Sequence, residues 1–339
     1  MGLKFIPIFP GQGIQHPGMG KEFYKHFPSI FNALFEEASE ITQIDLKKLC
    51  FETLDDSLNH TENAQPVLLT LCTAIFQVIQ KEFGWIADFI AGHSLGEYAA
   101  LVAAQSISFQ SAISWVKERG KAMQTAVPLG EGGMVAILNL NTDQVEELCQ
   151  KASLMSQKNR KTASFQFQIP ALVSPANYNA PDQTVISGSM DALQEAKKLI
   201  QNTSEYQKAR WIPLQVSGPF HCQLMEPVKL KISDLFSQLR EEEKPITPRC
   251  PYVPNYTAIP TQEASMILPY LTQQVTAPVL WLQTVQKFLE LENVVFIEVG
   301  PQEVLSRLMK RMVPKNQSFP QWINMNQIEG LKNLETLLS

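Results

Sequence analysis

Residues 87–105 read Ala87-Asp88-Phe89-Ile90-Ala91-Gly92-His93-Ser94-Leu95-Gly96-Glu97-Tyr98-Ala99-Ala100-Leu101-Val102-Ala103-Ala104-Gln105. The first five form a short apolar strand, Gly92 to Gly96 a sharp turn, and Leu95–Gln105 a helix. The same grammar opens the chain. A strand at Phe5–Phe9 runs into the glycine turn Gly11-Gln12-Gly13, followed by helical sequence from about Gly20 to Ile41. A long helix fits Ala64–Phe83, with Pro66 in its first turn, where the missing N–H is tolerated. Another fits Phe109–Ala126. Strand, tight turn and helix in alternation predict an α/β fold with a parallel sheet.

The middle of the chain changes period. Gly133–Leu138, Ala171–Asn177, Thr184–Ser187 and Arg210–Leu214 read as strands, and Thr142–Ala152 and Met190–Gln201 as helices. The order β-α-β-β-α-β is that of a ferredoxin-like unit. The expected organisation is therefore an α/β-hydrolase-like large domain from 1–132 and 211–339, with a ferredoxin-like small domain inserted at 133–210. After it, Leu224–Leu239, Pro278–Leu291 and Glu303–Met312 look helical, and Val294–Glu298 is a strand aimed at Gly300-Pro301. Residues 151–170 fit neither pattern: a polar, basic run through Lys158, Arg160 and Lys161 precedes an alternating stretch, Phe165–Ile169. A surface hairpin or loop is the expectation there.

With 339 residues, 45% of them hydrophobic and 18% charged, the chain has enough apolar sequence for a large core. A net charge of −5 argues against a nucleic-acid partner. The five cysteines, Cys50, Cys72, Cys149, Cys222 and Cys250, are scattered and never spaced C-x-x-C, so neither a disulfide framework nor a metal site is expected. The apolar run after Lys4 is too short and proline-interrupted for an export signal. The run from Val67 to Ile79 is broken by Thr70, Thr73 and Gln77 and cannot span a bilayer. The expectation is a cytoplasmic protein with no membrane contact.

Gly92-His93-Ser94-Leu95-Gly96 fits G-x-S-x-G, the turn that lifts a serine hydroxyl above a sheet and turns the next backbone amide toward the same point. A serine needs a base. Of the five histidines, His16 lies in the first glycine loop, His26 and His60 in polar sequence, and His93 on the far side of the elbow. His221, after Val216-Ser217-Gly218-Pro219-Phe220 and at the expected start of the next helix, is the candidate. A helix dipole there would keep it neutral. No Asp or Glu stands at an obvious strand end to orient it, and a backbone carbonyl is the alternative. Gly11-Gln12-Gly13 fails the dinucleotide pattern because position 16 is His, but its backbone could join the Leu95 amide in an oxyanion hole. Arg119 falls in the apolar stripe of its helix, with Trp115 and Met123 four residues to either side. An inward guanidinium needs an internal ion pair, a carbonyl cap or the carboxylate of a substrate.

Together these residues resemble the malonyl-CoA:acyl-carrier-protein transacylases, over nearly the whole chain. The landmarks are Phe9-Pro10-Gly11-Gln12-Gly13, Ala64-Gln65-Pro66, Gly92-His93-Ser94-Leu95-Gly96-Glu97, Arg119-Gly120-Lys121-Ala122-Met123-Gln124, Asn177-Tyr178-Asn179-Ala180-Pro181, Gly218-Pro219-Phe220-His221 and Glu298-Val299-Gly300-Pro301. The resemblance implies transfer of a malonyl group from malonyl-CoA to the phosphopantetheine thiol of an acyl carrier protein, in fatty-acid or polyketide synthesis. It implies Ser94 as nucleophile, His221 as base, the amides of Gln12 and Leu95 as oxyanion hole, and Arg119 as the malonyl carboxylate's partner. It further implies that the main-chain carbonyl of Gln274 orients His221 and that Phe220 marks a malonyl-selective site. No cofactor or metal is implied, and a monomer is expected.

Two departures stand out. Residues 154–170 look like an insertion, and Gln302 replaces a glycine that commonly follows Gly300-Pro301. Lys158, Arg160 and Lys161 would form a basic docking patch for an acidic carrier protein. A thioester hydrolase using the same serine and histidine is the rival reading, but a buried arginine makes a poor wall for uncharged acyl groups. A silent binding subunit would lack Ser94, His221 or Gln12, and a dinucleotide oxidoreductase lacks its fingerprint.

Overall fold

The computed structural model describes residues 2–53, 55–161, 169–313 and 320–339. Among them the strands are, in chain order, β1 (Lys4–Phe9), β2 (Ile90–Gly92), β3 (Gly132–Leu138), β4 (Val173–Ala180), β5 (Gln183–Ser189), β6 (Arg210–Pro213), β7 (Tyr252–Val253), β8 (Val294–Glu298) and β9 (Gln321–Asn324). They form two sheets. The larger has the order β7-β2-β1-β8-β9, with every pairing parallel. From β1 the chain first adds strands on one side, β2 then β7, and afterwards on the other, β8 then β9. β1 thus lies where the order reverses, and its carboxyl end is where open α/β sheets bind ligands. Phe9 pairs with Gly92, so the loops after β1 and β2 leave the sheet side by side.

The smaller sheet has the order β4-β5-β3-β6, all antiparallel. With the helices Thr142–Lys161 and Met190–Asn202 it forms the ferredoxin-like arrangement. Alternation along its strands gives it two apolar faces. Val135, Ile137 and Ile186 pack with those two helices into a separate core, whereas Met134, Ala136 and Val185 join the main core.

The helix Thr61–Phe83 is buried along most of its length. It begins one turn earlier than expected, so Pro66 lies beyond the first turn. Gly120 lets the helix Phe109–Thr125 cross closely over its start: a Cβ there would lie 2.8 Å from the Thr61 carbonyl oxygen. The single helix expected from about Gly20 to Ile41 is two, Lys21–His26 and Pro28–Thr42. Pro28 disfavours helical geometry at Phe27. The helix Thr142–Lys161 continues nine residues past the expected end at Ala152, so 153–161 are helical rather than loop. Most of the alternating stretch Phe165–Ile169 lies outside the described residues. Among the described residues no helix is long and apolar enough to cross a membrane.

Candidate active site

The turn after β2 has no room for side chains at two positions. A Cβ on Gly92 would lie 1.9 Å from the Gly96 carbonyl oxygen, and one on Gly96 would lie 2.0 Å from that of Phe9. Between them Ser94 adopts φ 52°, a left-handed conformation that costs a non-glycine residue about 1–3 kcal/mol. Asn255 holds the turn in that shape. Its Nδ2 donates to the Gly92 carbonyl at 2.6 Å, and its Oδ1 accepts from the Ser94 amide at 2.6 Å. Gly92→Ala is expected to cost on the order of 4 kcal/mol or more, since backbone rather than a flexible side chain must move. Soluble yield and the thermal midpoint would measure it, and a midpoint near wild type would contradict the tight turn.

Ser94 Oγ donates to His221 Nε2 at 2.7 Å, and His221 Nδ1 donates to the main-chain carbonyl of Gln274 at 2.9 Å. A carbonyl therefore occupies the place that an acid takes in serine triads, leaving the imidazole in the tautomer that accepts the serine proton. His221 lies in a turn at φ 58°, before a short 3-10 segment (Gln223–Met225) and the helix Glu226–Ser237. It does not open that helix, so the expected dipole effect is replaced by another cause. Burial first, and the neighbouring Arg119 charge second, push its pKa down to about 3.

Arg119 is 1% exposed, yet none of its described contacts is an ion pair. Nη1 donates to Gln65 Oε1 at 2.9 Å, and Nη2 donates to Gln274 Oε1 at 2.9 Å and to Ser94 Oγ at 3.2 Å. The guanidinium also lies over the Tyr98 ring, 5.5 Å from its centroid. Buried without a contacting anion and touching the nucleophile, it is a cation prepared to receive one.

These groups border a cavity of about 180 Å³ between the two sheets. Gly11, Gln12, Ser94 and Leu95 line it from the turns after β1 and β2, Arg119 from the helix Phe109–Thr125, Leu214, Phe220 and His221 from the segment after β6, and Met134 and Val185 from the small sheet. The space suits a short acyl group, with the cation and the nucleophile on one wall. Among the described residues neither the Gln12 nor the Leu95 amide meets a protein acceptor. Gln12 is anchored by its side chain, whose Nε2 donates to Thr61 Oγ1 at 3.1 Å; Thr61 Oγ1 in turn lies 2.8 Å from Ser217 Oγ, in the loop that leads to His221.

Residues 6–328 match the family model described as the acyl transferase domain. The chain belongs to that family. It is 38% identical over 309 residues to a malonyl CoA-acyl carrier protein transacylase of Bacillus subtilis, covering 91% of this chain and 90% of that protein. It is 34% identical over 336 residues to the protein of that name in Haemophilus influenzae, covering 99% of each. Among solved structures, FabD from Acinetobacter baumannii superposes with a TM-score of 0.87 at 35% identity, covering 100% of this chain and 99% of that one. A malonyl-transacylase solved in complex with a type II PKS acyl-carrier protein gives 0.85 at 35% identity, covering 98% and 99%.

In this acyltransferase the fold thus collects Ser94, His221, Arg119, Gln12, Leu95, Gln274 and Phe220 around one centre. Of the internal alternatives for Arg119, no ion pair forms among the described residues, while the side-chain carbonyl oxygens of Gln65 and Gln274 cap it and leave Nη2 in reach of the nucleophile. His93 is not idle: its Nε2 lies 2.9 Å from Asn179 Oδ1 and its ring meets Trp281 edge-on. Gln302 Nε2 donates to the Ile14 carbonyl at 2.8 Å, a tie to the Gln12 loop that a glycine could not make. Of the docking cations, Arg160 is engaged: Nε and Nη2 grip Asp191 at 2.6 and 2.7 Å. It braces the two helices of the small sheet, while Lys158 and Lys161 remain exposed. Sequence reasoning assigned no role to Gln65, Glu97 or Asn255, although Gln65 and Glu97 lie inside landmark motifs. Glu97 is fully buried, which pushes its carboxyl up to about 7.

Proposed function

We propose that this acyltransferase moves a malonyl group from malonyl-CoA to the phosphopantetheine thiol of an acyl carrier protein through a malonyl ester on Ser94. The observation that carries the reading is Arg119, a buried guanidinium that reaches Ser94 Oγ and pairs with no carboxylate among the described residues. As the thioester enters, Ser94 Oγ attacks its carbonyl carbon while the hydroxyl proton passes to His221 Nε2. The amides of Gln12 and Leu95 hold the oxyanion. Collapse breaks the C–S bond, and the His221 proton goes to the departing CoA sulfur. The carrier thiol then gives its proton to His221, attacks the ester carbonyl and releases Ser94, which takes the proton back. Arg119 grips the free carboxylate throughout, and Phe220 walls the acyl pocket. Both substrates come and go, so we propose no resident cofactor or metal, and a cytoplasmic monomer. Relatives that carry the same name support this reading.

Appearance of label from malonyl-CoA on a phosphopantetheinylated carrier protein, and not on its apo form, is the direct test. Release of free malonate at a rate equal to label uptake would instead favour a hydrolase.

The pH dependence gives a second check. A histidine whose pKa is depressed to about 3 is neutral, and competent as a base, at every pH well above that value. Pre-steady-state labelling of Ser94 is therefore expected to stay flat between about pH 5 and 8, without the inflection near 6.5 that an ordinary histidine gives. An inflection near 6.5 in the acylation rate would mean that His221 is hydrated in the working enzyme.

A further inference from the structure

Glu97 takes no part in the steps above, yet its carboxyl joins the groups that surround the nucleophile. It stands three residues after Ser94, in the first turn of the helix Gly96–Ala103. Oε2 accepts from the Gln274 side-chain Nε2 at 2.7 Å and from the Asn255 amide at 3.0 Å, while Oε1 has no partner among the described residues. Gln274 Nε2 also donates to the Ser94 carbonyl at 3.1 Å.

A primary amide has a donor end and an acceptor end, and rotation by half a turn exchanges them. In Gln274 the nitrogen faces two acceptors, Glu97 Oε2 and the Ser94 carbonyl, and the oxygen faces Arg119 Nη2. Turned round, the amide would set its NH2 against a guanidinium that only donates and its oxygen against two oxygens. Glu97 Oε2 also accepts from the Asn255 amide, so any proton on this carboxyl sits on Oε1, and Oε2 forbids the reversed sense in either protonation state. Arg119 depends on that sense, because Gln274 Oε1 is one of its two side-chain amide acceptors.

We propose that Glu97 is a positioning residue for acyl selectivity: it locks the Gln274 amide with its oxygen toward Arg119 and so holds the guanidinium over Ser94. The inference rests on the malonyl reading of Arg119. It separates two functions of Gln274, since the main-chain carbonyl serves His221 and the side chain serves Arg119.

The test is the ratio of malonyl to acetyl labelling of Ser94, followed by intact-protein mass spectrometry. Glu97→Ala is expected to lower that ratio about tenfold or more, the usual scale when a residue that orients a binding group is lost, with acetyl labelling falling much less. Glu97→Gln keeps an oxygen at the Oε2 position and puts its NH2 where Oε1 has no partner, so it should keep most of the selectivity. Gln274→Ala retains the carbonyl used by His221 and should lower the ratio by the same factor, and adding Glu97→Ala to it should lower it no further. This arm needs no folded Glu97→Ala single variant. Equal loss of both labels in Glu97→Ala would reduce Glu97 to a packing role and overturn the proposal. A Glu97→Gln ratio as low as that of Glu97→Ala would assign the effect to charge and overturn it too. Wild type that labels equally with both thioesters would instead remove the reading of Arg119, so the two failures are distinguishable.

Discussion

Ser94→Ala is expected to leave no covalent adduct after mixing with malonyl-CoA and to lower carrier-protein transfer by on the order of 10⁴- to 10⁶-fold. The geometry gives the size. Ser94 Oγ donates to His221 Nε2 at 2.7 Å, and the turn that presents it sits at φ 52°, pinned by Asn255. Alanine keeps the turn and the oxyanion amides but removes the oxygen placed to attack. His221→Ala should cost nearly as much, because without it the hydroxyl proton has no acceptor. The two losses should not add, since serine and histidine act as one unit. The double variant should match the worse single one. Intact mass for the adduct and a quenched transfer assay would measure both. A persistent adduct on Ser94→Ala would move the nucleophile elsewhere, and additive losses would mean that His221 serves some step other than activating Ser94.

How much of this was legible in the sequence depended on range. The elbow is local: a strand, two glycines and a helix within fifteen residues specify where Ser94 points, and the fold puts it there. The β-α-β-β-α-β order was legible for the same reason, because each element announces its own period. Errors came where local composition and tertiary packing disagree. The helix Thr142–Lys161 looks finished at Ala152 because its last part is polar, yet Ser156 is buried and bonds to Asp191 across the two helices. The helix Ala264–Gln274 was missed, with Pro269 inside it. Two strands of only two and four residues, β7 and β9, are held by their neighbours rather than by their own sequence. The supporting polar groups were unreadable for a related reason. Gln65, Asn255 and Gln274 meet Arg119 and Ser94 across 54, 161 and 155 residues of chain, and no spacing rule reaches so far. The missing acid left a backbone carbonyl as the alternative partner for His221, but that it belongs to Gln274 came only from the family resemblance, because a backbone oxygen has no residue type to recognise.

Those polar groups explain why the site can stay buried and still act. The two ionisable groups that touch Ser94 Oγ meet neutral oxygens rather than carboxylates: Gln65 and Gln274 for Arg119, the Gln274 main chain for His221. A carboxylate against Arg119 would neutralise it, and one against His221 would raise its pKa. Neutral acceptors satisfy both groups and leave the positive charge unspent. Glu97, the nearest buried acid, is kept one amide away.

The largest change of specificity should therefore come from Arg119→Ala. Truncating one partner of a buried, hydrogen-bonded charge pair costs about 2–5 kcal/mol, which at tenfold per 1.4 kcal/mol is roughly 30- to 3,000-fold. Malonyl labelling of Ser94 is expected to fall by that amount, because the acyl carboxylate would enter a dry pocket with no cation to meet it. Acetyl labelling should fall far less, since an uncharged acyl group gains nothing from the guanidinium and Ser94, His221 and the oxyanion amides remain. Arg119→Lys should lie between, as its point charge cannot reach Gln65, Gln274 and the carboxylate together in the fork geometry that a guanidinium offers. The comparison of the two thioesters makes the test independent of folding. A variant that merely loses structure, with two glutamine oxygens left without their donors, would lose both labels in proportion. Proportional loss would make Arg119 a structural cation, and the acyl group's carboxylate would then need another partner.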